Sequence, residues 1–309
     1  MGNRAMAKAS RMMSWAPWAA VYAAIWAAAV YVRLQAGDAT DSLIIGVLFG
    51  LLLPPFVWAL TRKAEPAQIP VARPGLELSA VLVWLAIYAV VGLGWLFTVV
   101  KQTFVPGSQT YEMVMLAVKL AIHIVIPILV LKLVGGRILP LLAPRLGAKG
   151  VLPLLIILIT VFTALMMVVS PSLKEISGLE VAPTVFLWAA PAAFAWMALE
   201  AGFTEEFLFR AVLQTRLAAF MKSEAGAIVI GALLFALAHV PGLYLRPDTA
   251  GDAISGLPQI IAYCVGTLSP IAVLFGFIWA RTRSLGLLIV LHAAVDFLPN
   301  LSDFVRTWA

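Results

Sequence analysis

Charged side chains are scarce in this 309-residue chain. Asp, Glu, Lys and Arg make up 12% of the residues, whereas hydrophobic residues make up 63% and the mean hydropathy is +1.02. A water-soluble domain of this length needs a charged exterior, so this composition excludes one. The scarcity of charge predicts an all-α polytopic integral membrane protein, a helix bundle whose surrounding medium is the lipid bilayer.

Cysteine is almost absent too. The single cysteine, Cys264, lies in an apolar stretch, so an intrachain disulfide is impossible and we expect a small buried residue. Several protease signatures are also missing, because the sequence contains no His-Glu-x-x-His, no Gly-x-Gly-Asp and no Gly-x-Ser-x-Gly. We find no internal repeat, low-complexity tract or soluble domain, so any function must reside inside the bundle.

Long apolar runs fill most of the chain. About 20 residues of helix are enough to cross the hydrocarbon core. Seven runs contain no Asp, Glu, Lys or Arg, and two more contain a few ionisable residues, so we predict eight or nine transmembrane helices. The seven are 12–32, 42–61, 78–100, 150–173, 181–199, 225–245 and 253–280, and the two are 113–134 and 285–301.

Basic residues indicate the orientation, because cytoplasmic segments of membrane proteins are enriched in Lys and Arg. With a cytoplasmic N-terminus and an uncleaved first helix, each outside segment holds one basic residue and each inside segment two or three. We therefore expect this orientation, and we interpret the net charge of +6 as a match to anionic lipid rather than to nucleic acid. The basic composition and the many alanines and tryptophans suggest a bacterial inner membrane. The inside residues are Arg4, Lys8, Arg11, Arg62, Lys63, Arg73, Arg137, Arg145, Lys149, Arg210, Arg216, Lys222, Arg281 and Arg283, and the outside residues are Arg33, Lys101, Lys174, Arg246 and Arg306.

Histidines inside apolar spans are candidates for function, because ionisable residues in a membrane are costly. Only three exist, and two of them have a companion four residues away, on the same helical face. Phe235 precedes His239 at this spacing, and Asp296 follows His292. His123 has no acidic neighbour on its own face, so we interpret it as an ordinary core residue.

Two adjacent glutamates lie in the apolar segment GFTEEFLFRAVL, residues 202–213. Glu206 and Arg210 have the spacing of a favourable i, i+4 ion pair, so we expect Glu206 to stay ionised and structural. Glu205 points about 100° away around the helix and has no basic partner on its own helix. An unpaired carboxylate in an apolar, water-poor site suits a general base, and we assign that role to Glu205.

The three clusters can meet in space. The polar break KSEAG, residues 222–226, predicts a helical hairpin, and folding it about residue 222 brings positions 205 and 239 to the same depth. His292 lies nine residues beyond Arg283, about 14 Å along the next helix. We expect the clusters to converge in the cytoplasmic half of the membrane, provided that the 217–225 hairpin protrudes into the cytosol.

Each cluster also has a purely structural interpretation. Gly202 could end one helix and Thr204 could cap the next, which would place both glutamates in a first turn that favours acids. His239 alone could be a hydrogen-bonded core histidine. His292 and Asp296 could form a structural pair or a proton relay.

Taken together and in this order, the clusters resemble the motifs of the CAAX protease and bacteriocin-processing (CPBP) family, also called ABI-type or type II CAAX prenyl endopeptidase-like proteins. The resemblance covers about residues 183–301. We therefore divide the chain into accessory helices at 1–182, a protease core at 183–301 and a short tail at 302–309. The motifs are Glu-Glu-Phe-Leu-Phe-Arg at 205–210, Phe-Ala-Leu-Ala-His at 235–239 and His-Ala-Ala-Val-Asp at 292–296.

The resemblance implies an intramembrane glutamate endopeptidase that uses no metal or other cofactor. By similarity, Glu205 and His239 activate the attacking water, and His292 and Asp296 stabilise the oxyanion. An ionised Asp296 would repel an oxyanion, so it must be protonated or must instead orient His292, and we favour orientation. The positions that would shape the site are Glu206, Arg210 and Phe235.

Other functions stay open at this point. Glu205, His239 and His292 could supply three ligands to a catalytic zinc ion. A non-enzymatic immunity or scaffold protein, or a proton-coupled transporter, could carry the same polar cluster, although a transporter commonly shows internal repeats. The expected partners are the bilayer and a membrane-associated peptide or protein substrate, with no nucleic acid and no specified oligomeric state.

Overall fold

The structure, a computed structural model, describes residues 15–62, 69–138, 151–245 and 256–309. Every regular element in these ranges is a helix, which confirms the predicted all-α fold. Nine helices in the described part are long and apolar enough to cross a bilayer, and we number them α1 to α9. They are Trp15–Gln35, Thr40–Thr61, Pro74–Thr103, Gln109–Leu133, Val151–Val168, Pro183–Met221, Glu224–Leu245, Leu257–Thr282 and Leu285–Trp308.

The boundaries differ most from the predicted ones at α6. The charge-free run predicted a helix ending at residue 199, but α6 continues through the glutamates to Met221, because their side chains find partners inside the bundle. Helix α9 continues to Trp308, so most of the predicted tail is helical. The run predicted for 150–173 ends earlier, since Pro171 follows α5 and precedes a short helix, Ser172–Ser177.

Some predicted features lie outside the described residues. These are the first residues of the runs predicted at 12–32, 150–173 and 253–280, parts of the loops 62–75, 135–150 and 241–252, and seven basic residues of the orientation pattern. The seven are Arg4, Lys8, Arg11, Lys63, Arg145, Lys149 and Arg246.

Helix ends meet at two opposite faces of the bundle. At the face where α1, α3, α5, α7 and α9 begin, which we call the N-terminal face, the Arg216 Nε atom lies 3.2 Å from Glu77 Oε2 and joins the end of α6 to the start of α3. At the C-terminal face, where α9 ends, the Gln109 side chain donates to the carbonyl of Thr307 at 3.2 Å and joins α4 to α9. These contacts fix which ends of the helices lie together.

Helices α8 and α9 form the centre of the bundle. In the most apolar 18-residue stretch of each helix, 72% of the residues are buried in α8 and 61% in α9, against 11% in α1. Helix α1 therefore lies at the periphery. Phe207, Phe275 and Leu288 belong to a single apolar core that also reaches α2, α3 and α5. Small residues allow close helix packing in membranes, and a Cβ atom on Gly202 of α6 would lie only 2.6 Å from the Ile289 carbonyl oxygen of α9.

Candidate active site

The two glutamates lie on a three-residue α-helical stretch, Thr204–Glu206, between two π-helical segments of α6, Ala198–Phe203 and Phe207–Gln214. Widened turns of this kind are frequent at functional sites, and in the described residues they also occur in α2, α3, α4 and α8. The Thr204 hydroxyl donates back to the carbonyl of Glu200 at 2.6 Å. A capping hydroxyl would instead accept from an amide ahead of it, so the interpretation in which Thr204 caps a new helix is wrong.

Glu206 is fully buried and binds two cationic or polar partners. Its Oε1 atom accepts a hydrogen bond from His292 Nδ1 at 2.7 Å and forms an ion pair with Arg210 Nη1 at 3.2 Å. The second contact is the i, i+4 pair that the spacing predicts. The Arg210 guanidinium also lies 4.4 Å from the centre of the Phe235 ring and 5.8 Å from that of Phe275. These aromatic faces stabilise a buried cation where water is scarce.

His292 lies between three carboxylates. Glu206 contacts Nδ1, whereas Asp296 Oδ2 and Glu205 Oε2 lie 3.2 and 3.7 Å from Nε2. Ionised carboxylates only accept hydrogen bonds, so this arrangement favours an imidazole that carries a proton on both nitrogens. The buried Glu206 fixes the ring orientation through Nδ1, and Asp296 meets the other nitrogen, which faces the cavity.

His239 lies at a break in α7. Pro241 has no backbone N–H, and the backbone N–H of His239 bonds to Ala236 instead of Phe235. The carbonyl of Phe235, freed from the helix ladder, accepts from His239 Nδ1 at 2.9 Å. A carbonyl cannot donate, so Nδ1 carries the proton and Nε2 presents its lone pair.

A cavity of about 120 Å³ brings the predicted residues together. Among the residues lining it are Glu205 of α6, His239 of α7 and both His292 and Asp296 of α9. Arg210 and Phe235 also line this space, which we call the inner cavity. Glu206 does not line it and lies behind His292. The predicted hairpin about residue 222 is present, because α6 ends at Met221 and Ser223 caps α7 by accepting from the Gly226 amide.

A second cavity of about 280 Å³, the middle cavity, shares Glu205 and His239 with the first. Its opposite wall comes from α3 and α4, where the sequence showed no motif. Tyr88, Lys119 and His123 lie on this wall. The interpretation of His123 as an ordinary core residue therefore misses its position at the cavity.

Lys119 and His123 are held in place by contacts between helices. The Lys119 ammonium forms an ion pair with Glu200 of α6, five residues before Glu205. His123 Nδ1 donates to the Lys119 carbonyl at 3.0 Å. The His123 and Tyr88 rings pack in a T-shaped arrangement with their centres 5.0 Å apart. The signal that could have identified them is the rule that ionisable residues inside a span mark sites, because both lie within the apolar run 113–134.

Within 15–62, 69–138, 151–245 and 256–309, no three His, Cys, Asp or Glu side chains are grouped so that they could hold a metal ion. Cys264 is a free, buried thiol packed against Ala236 and Ile260. The carboxylate and imidazole groups of the inner cavity are Glu205 and Asp296, which both contact His292, and His239, which bonds to the Phe235 carbonyl.

Comparison with known proteins agrees with the motifs. Residues 187–298, just over a third of the chain, match the family model described as type II CAAX prenyl endopeptidase Rce1-like. Neither a curated protein nor a solved structure matches the chain. The matched range contains all three motifs and extends from the first turns of α6 into α9. Residues 187–298 of this integral membrane protein are therefore similar to the type II CAAX prenyl endopeptidase Rce1-like family, and this similarity supports a protease-type enzyme.

Proposed function

We propose that this chain is a metal-independent intramembrane endopeptidase of the glutamate type, which hydrolyses peptide bonds in membrane-associated peptides or proteins. The observation that carries the proposal is the inner cavity, where Glu205, His239 and His292 lie on three different helices and line one space. A carboxylate base, a fixed imidazole lone pair and an imidazole N–H donor are the groups that peptide hydrolysis by water needs.

Glu205 is the base in this mechanism. Its carboxylate takes a proton from a water molecule, while the Nε2 lone pair of His239 accepts a hydrogen bond from the other O–H and holds the water. The break at Pro241 supports this role, because the bond from Nδ1 to Phe235 presents Nε2 in one tautomer. The water oxygen then forms a bond to the scissile carbonyl carbon.

His292 stabilises the negative charge that develops on the carbonyl oxygen. Its Nε2–H donates to this oxygen, a contribution of about 3–4 kcal/mol for a preorganised donor. Asp296 lies 3.2 Å from the same nitrogen. When the substrate oxygen binds at Nε2, the Asp296 carboxylate therefore either moves away from this nitrogen or, in its protonated form, donates a hydrogen bond to the substrate oxygen. Collapse of the intermediate breaks the C–N bond, and the proton held by Glu205 passes to the leaving amine.

Glu206 and Arg210 act as positioning residues. Neither transfers a proton in the mechanism, and Glu206 is screened from the inner cavity by His292. Their ion pair keeps the charge of Glu206 balanced in a water-poor interior, and Glu206 in turn holds the His292 ring. We place the protein in a bacterial inner membrane with a cytoplasmic N-terminus, in keeping with its distribution of basic residues.

The test is peptide release by purified protein in liposomes, using a library of membrane-associated peptides. We expect Glu205→Gln to lower the rate about 10²–10⁴-fold and His239→Ala by about 10²-fold, both unaffected by a zinc chelator. Asp303→Asn is the matched control, since it makes a carboxylate-to-amide change at an exposed position of α9.

The chelator separates the two enzymatic mechanisms. Hydrolysis lost on chelation and restored by zinc would move Glu205 and His239 into a metal site. Hydrolysis unchanged in both variants would remove these residues from catalysis altogether.

A further inference from the structure

The bundle is packed closely on one side of Glu205. Every residue of α6 from 206 to 218, toward the N-terminal face, is buried, and in this stretch only the side chains of Phe209 and Arg210 also line the middle and inner cavities. Polar groups in this stretch bond inside the bundle, since Gln214 donates to the Gly276 carbonyl at 2.8 Å and Trp279 donates to the Thr215 hydroxyl at 3.2 Å. The buried pair of Arg216 with Glu77 completes this packing.

On the other side of Glu205, cavities follow one another. The inner and middle cavities share Glu205, His239 and Leu268. The middle cavity shares Leu93, Phe97 and Gly242 with a third cavity of about 310 Å³, the outer cavity.

The outer cavity reaches the surface of the bundle. It is lined by residues at the ends of α3 and α7, on the C-terminal face, including the exposed Gln102 and Leu245. The three cavities therefore form one series that leads from Glu205 to that face.

We propose that this series is the entry channel, through which the peptide substrate and water reach Glu205 from the C-terminal face. The inference rests on the proposed endopeptidase function. It goes further in fixing the side of entry and in assigning one channel wall to α3 and α4, which lie outside the family-matched residues 187–298. Hydrolysis consumes a water molecule at Glu205, which is only 16% exposed, so a connection to solvent is required, and the packed side of α6 does not supply one.

The channel also restricts the form of the substrate. In an α-helix each carbonyl is bonded to an amide four residues ahead and is shielded by side chains, so a helical segment cannot present its carbonyl to Glu205. The ligand is therefore an unwound, extended peptide segment that projects at the C-terminal face. Aromatic side chains of Tyr88, Phe97 and Tyr263 line the middle cavity, which suits apolar residues next to the scissile bond.

Cysteine labelling tests the side of entry without any assay of activity. The background variant is Cys264→Ala, which removes the single native thiol. The channel positions are Gln102→Cys and Met115→Cys in the outer cavity and Leu243→Cys in the middle cavity. The controls are Leu208→Cys and Leu213→Cys on the packed side, where both side chains are fully buried.

A charged, membrane-impermeant thiol reagent is added to sealed liposomes in which all molecules have one orientation. We expect the channel cysteines to react at least tenfold faster than the packed-side controls, and only when the reagent is on the C-terminal side. Equal rates at both sets, or faster reaction from the N-terminal side, would overturn the proposal. Gln102 is exposed and marks the mouth of the channel, whereas Met115 is half-buried, so Met115→Cys keeps the test decisive if Leu243→Cys fails to fold.

A second measurement separates this proposal from the proposed function. A bulky adduct on Met115→Cys is expected to lower peptide release more than tenfold. The same adduct on Leu133→Cys, at the far end of α4 where the side chain is 87% exposed, leaves release unchanged.

One-sided labelling together with a fully active Glu205→Gln variant would keep the channel and reject the glutamate mechanism. An inactive Glu205→Gln variant without one-sided labelling would reject the channel alone.

Discussion

Helix α6 has two different surroundings on either side of Glu205. Toward the N-terminal face, residues 206–218 are all buried among α3, α7, α8 and α9. Glu205 itself lines the middle cavity, and on its C-terminal-face side Glu200 of the same helix forms an ion pair with Lys119, which also lines that cavity. The candidate base thus lies at the boundary between a packed region and a hollow one.

The difference separates the roles of polar residues. On the packed side, the ion pairs are almost fully buried, so each partner is needed to balance the other. On the cavity side, the polar groups can contact water or substrate, so removing one costs less stability and more function. Substitutions on the packed side should therefore mainly lower stability, and substitutions on the cavity side should mainly lower activity.

The largest effect is expected for Glu206→Ala. This change leaves the Arg210 cation and the Nδ1 atom of His292 without their buried carboxylate. Breaking a buried charge pair from one side costs about 3–5 kcal/mol, measured as the shift in detergent-induced unfolding. Glu205→Ala is the matched control, expected to cost less than about 1 kcal/mol, because Glu205 reaches the inner cavity. Equal costs would remove the distinction between the two glutamates.

A somewhat smaller loss is expected for Arg216→Met. The Arg216 guanidinium is fully buried and pairs with Glu77, whose carboxylate also accepts from the amides of Ala72 and Arg73 at 3.0 and 3.1 Å. These amides keep Glu77 partly satisfied, so we expect about 3 kcal/mol of destabilisation. Arg306→Met breaks an exposed pair with Asp303 and should change stability by less than about 0.5 kcal/mol. A similar loss of stability in both variants would mean that burial on the packed side does not make an ion pair more important for stability.

Much of the bundle was predictable because membrane spans and helical spacing are local properties of the chain. The hairpin at residue 222 and the ion pair of Glu206 with Arg210 follow from such spacings. The family identification also followed from three short motifs, each confined to one helix.

The cavity wall opposite Glu205 was not predictable in this way. Lys119 and Glu200 are 81 residues apart in sequence, and no local pattern connects them. Glu200 also interrupted the apolar run that predicted a helix ending at residue 199, so α6 was predicted too short. An ion pair between two helices stabilises such charges inside the membrane. Whether a charge has such a partner depends on the tertiary fold rather than on a single segment.

On the cavity side, Lys119→Met should reduce peptide release roughly tenfold while costing only about 1 kcal/mol of stability. The ammonium lies on the wall of the middle cavity and is partly exposed there, so its removal disturbs the cavity more than the packing. Lys132→Met is the control, because it makes the same substitution at an exposed site of the same helix. Rates of peptide release and unfolding curves measured together decide the outcome, and a pure loss of stability would contradict the boundary at Glu205.

The smallest effect is expected for Asp296→Asn. The amide keeps an oxygen near His292 Nε2 and gains an N–H that can donate to the oxyanion, so peptide release should stay within about threefold of the wild-type rate. Asp296→Leu removes both functions and should lower the rate at least tenfold. A loss above 100-fold in Asp296→Asn would show that the carboxylate itself is required.

The break in α7 has a mechanical consequence. Glu205 and His292 lie on helices that touch through Gly202, where a single added methyl group would collide with the backbone of α9. His239, in contrast, lies at a joint where the helix ladder is interrupted beside Pro241. The close contact at Gly202 fixes α6 against α9, whereas the interrupted hydrogen bonds beside Pro241 allow the end of α7 to bend. We therefore expect the candidate base Glu205 and the candidate oxyanion donor His292 to keep their separation, whereas His239 is free to shift with the end of α7 when a substrate binds.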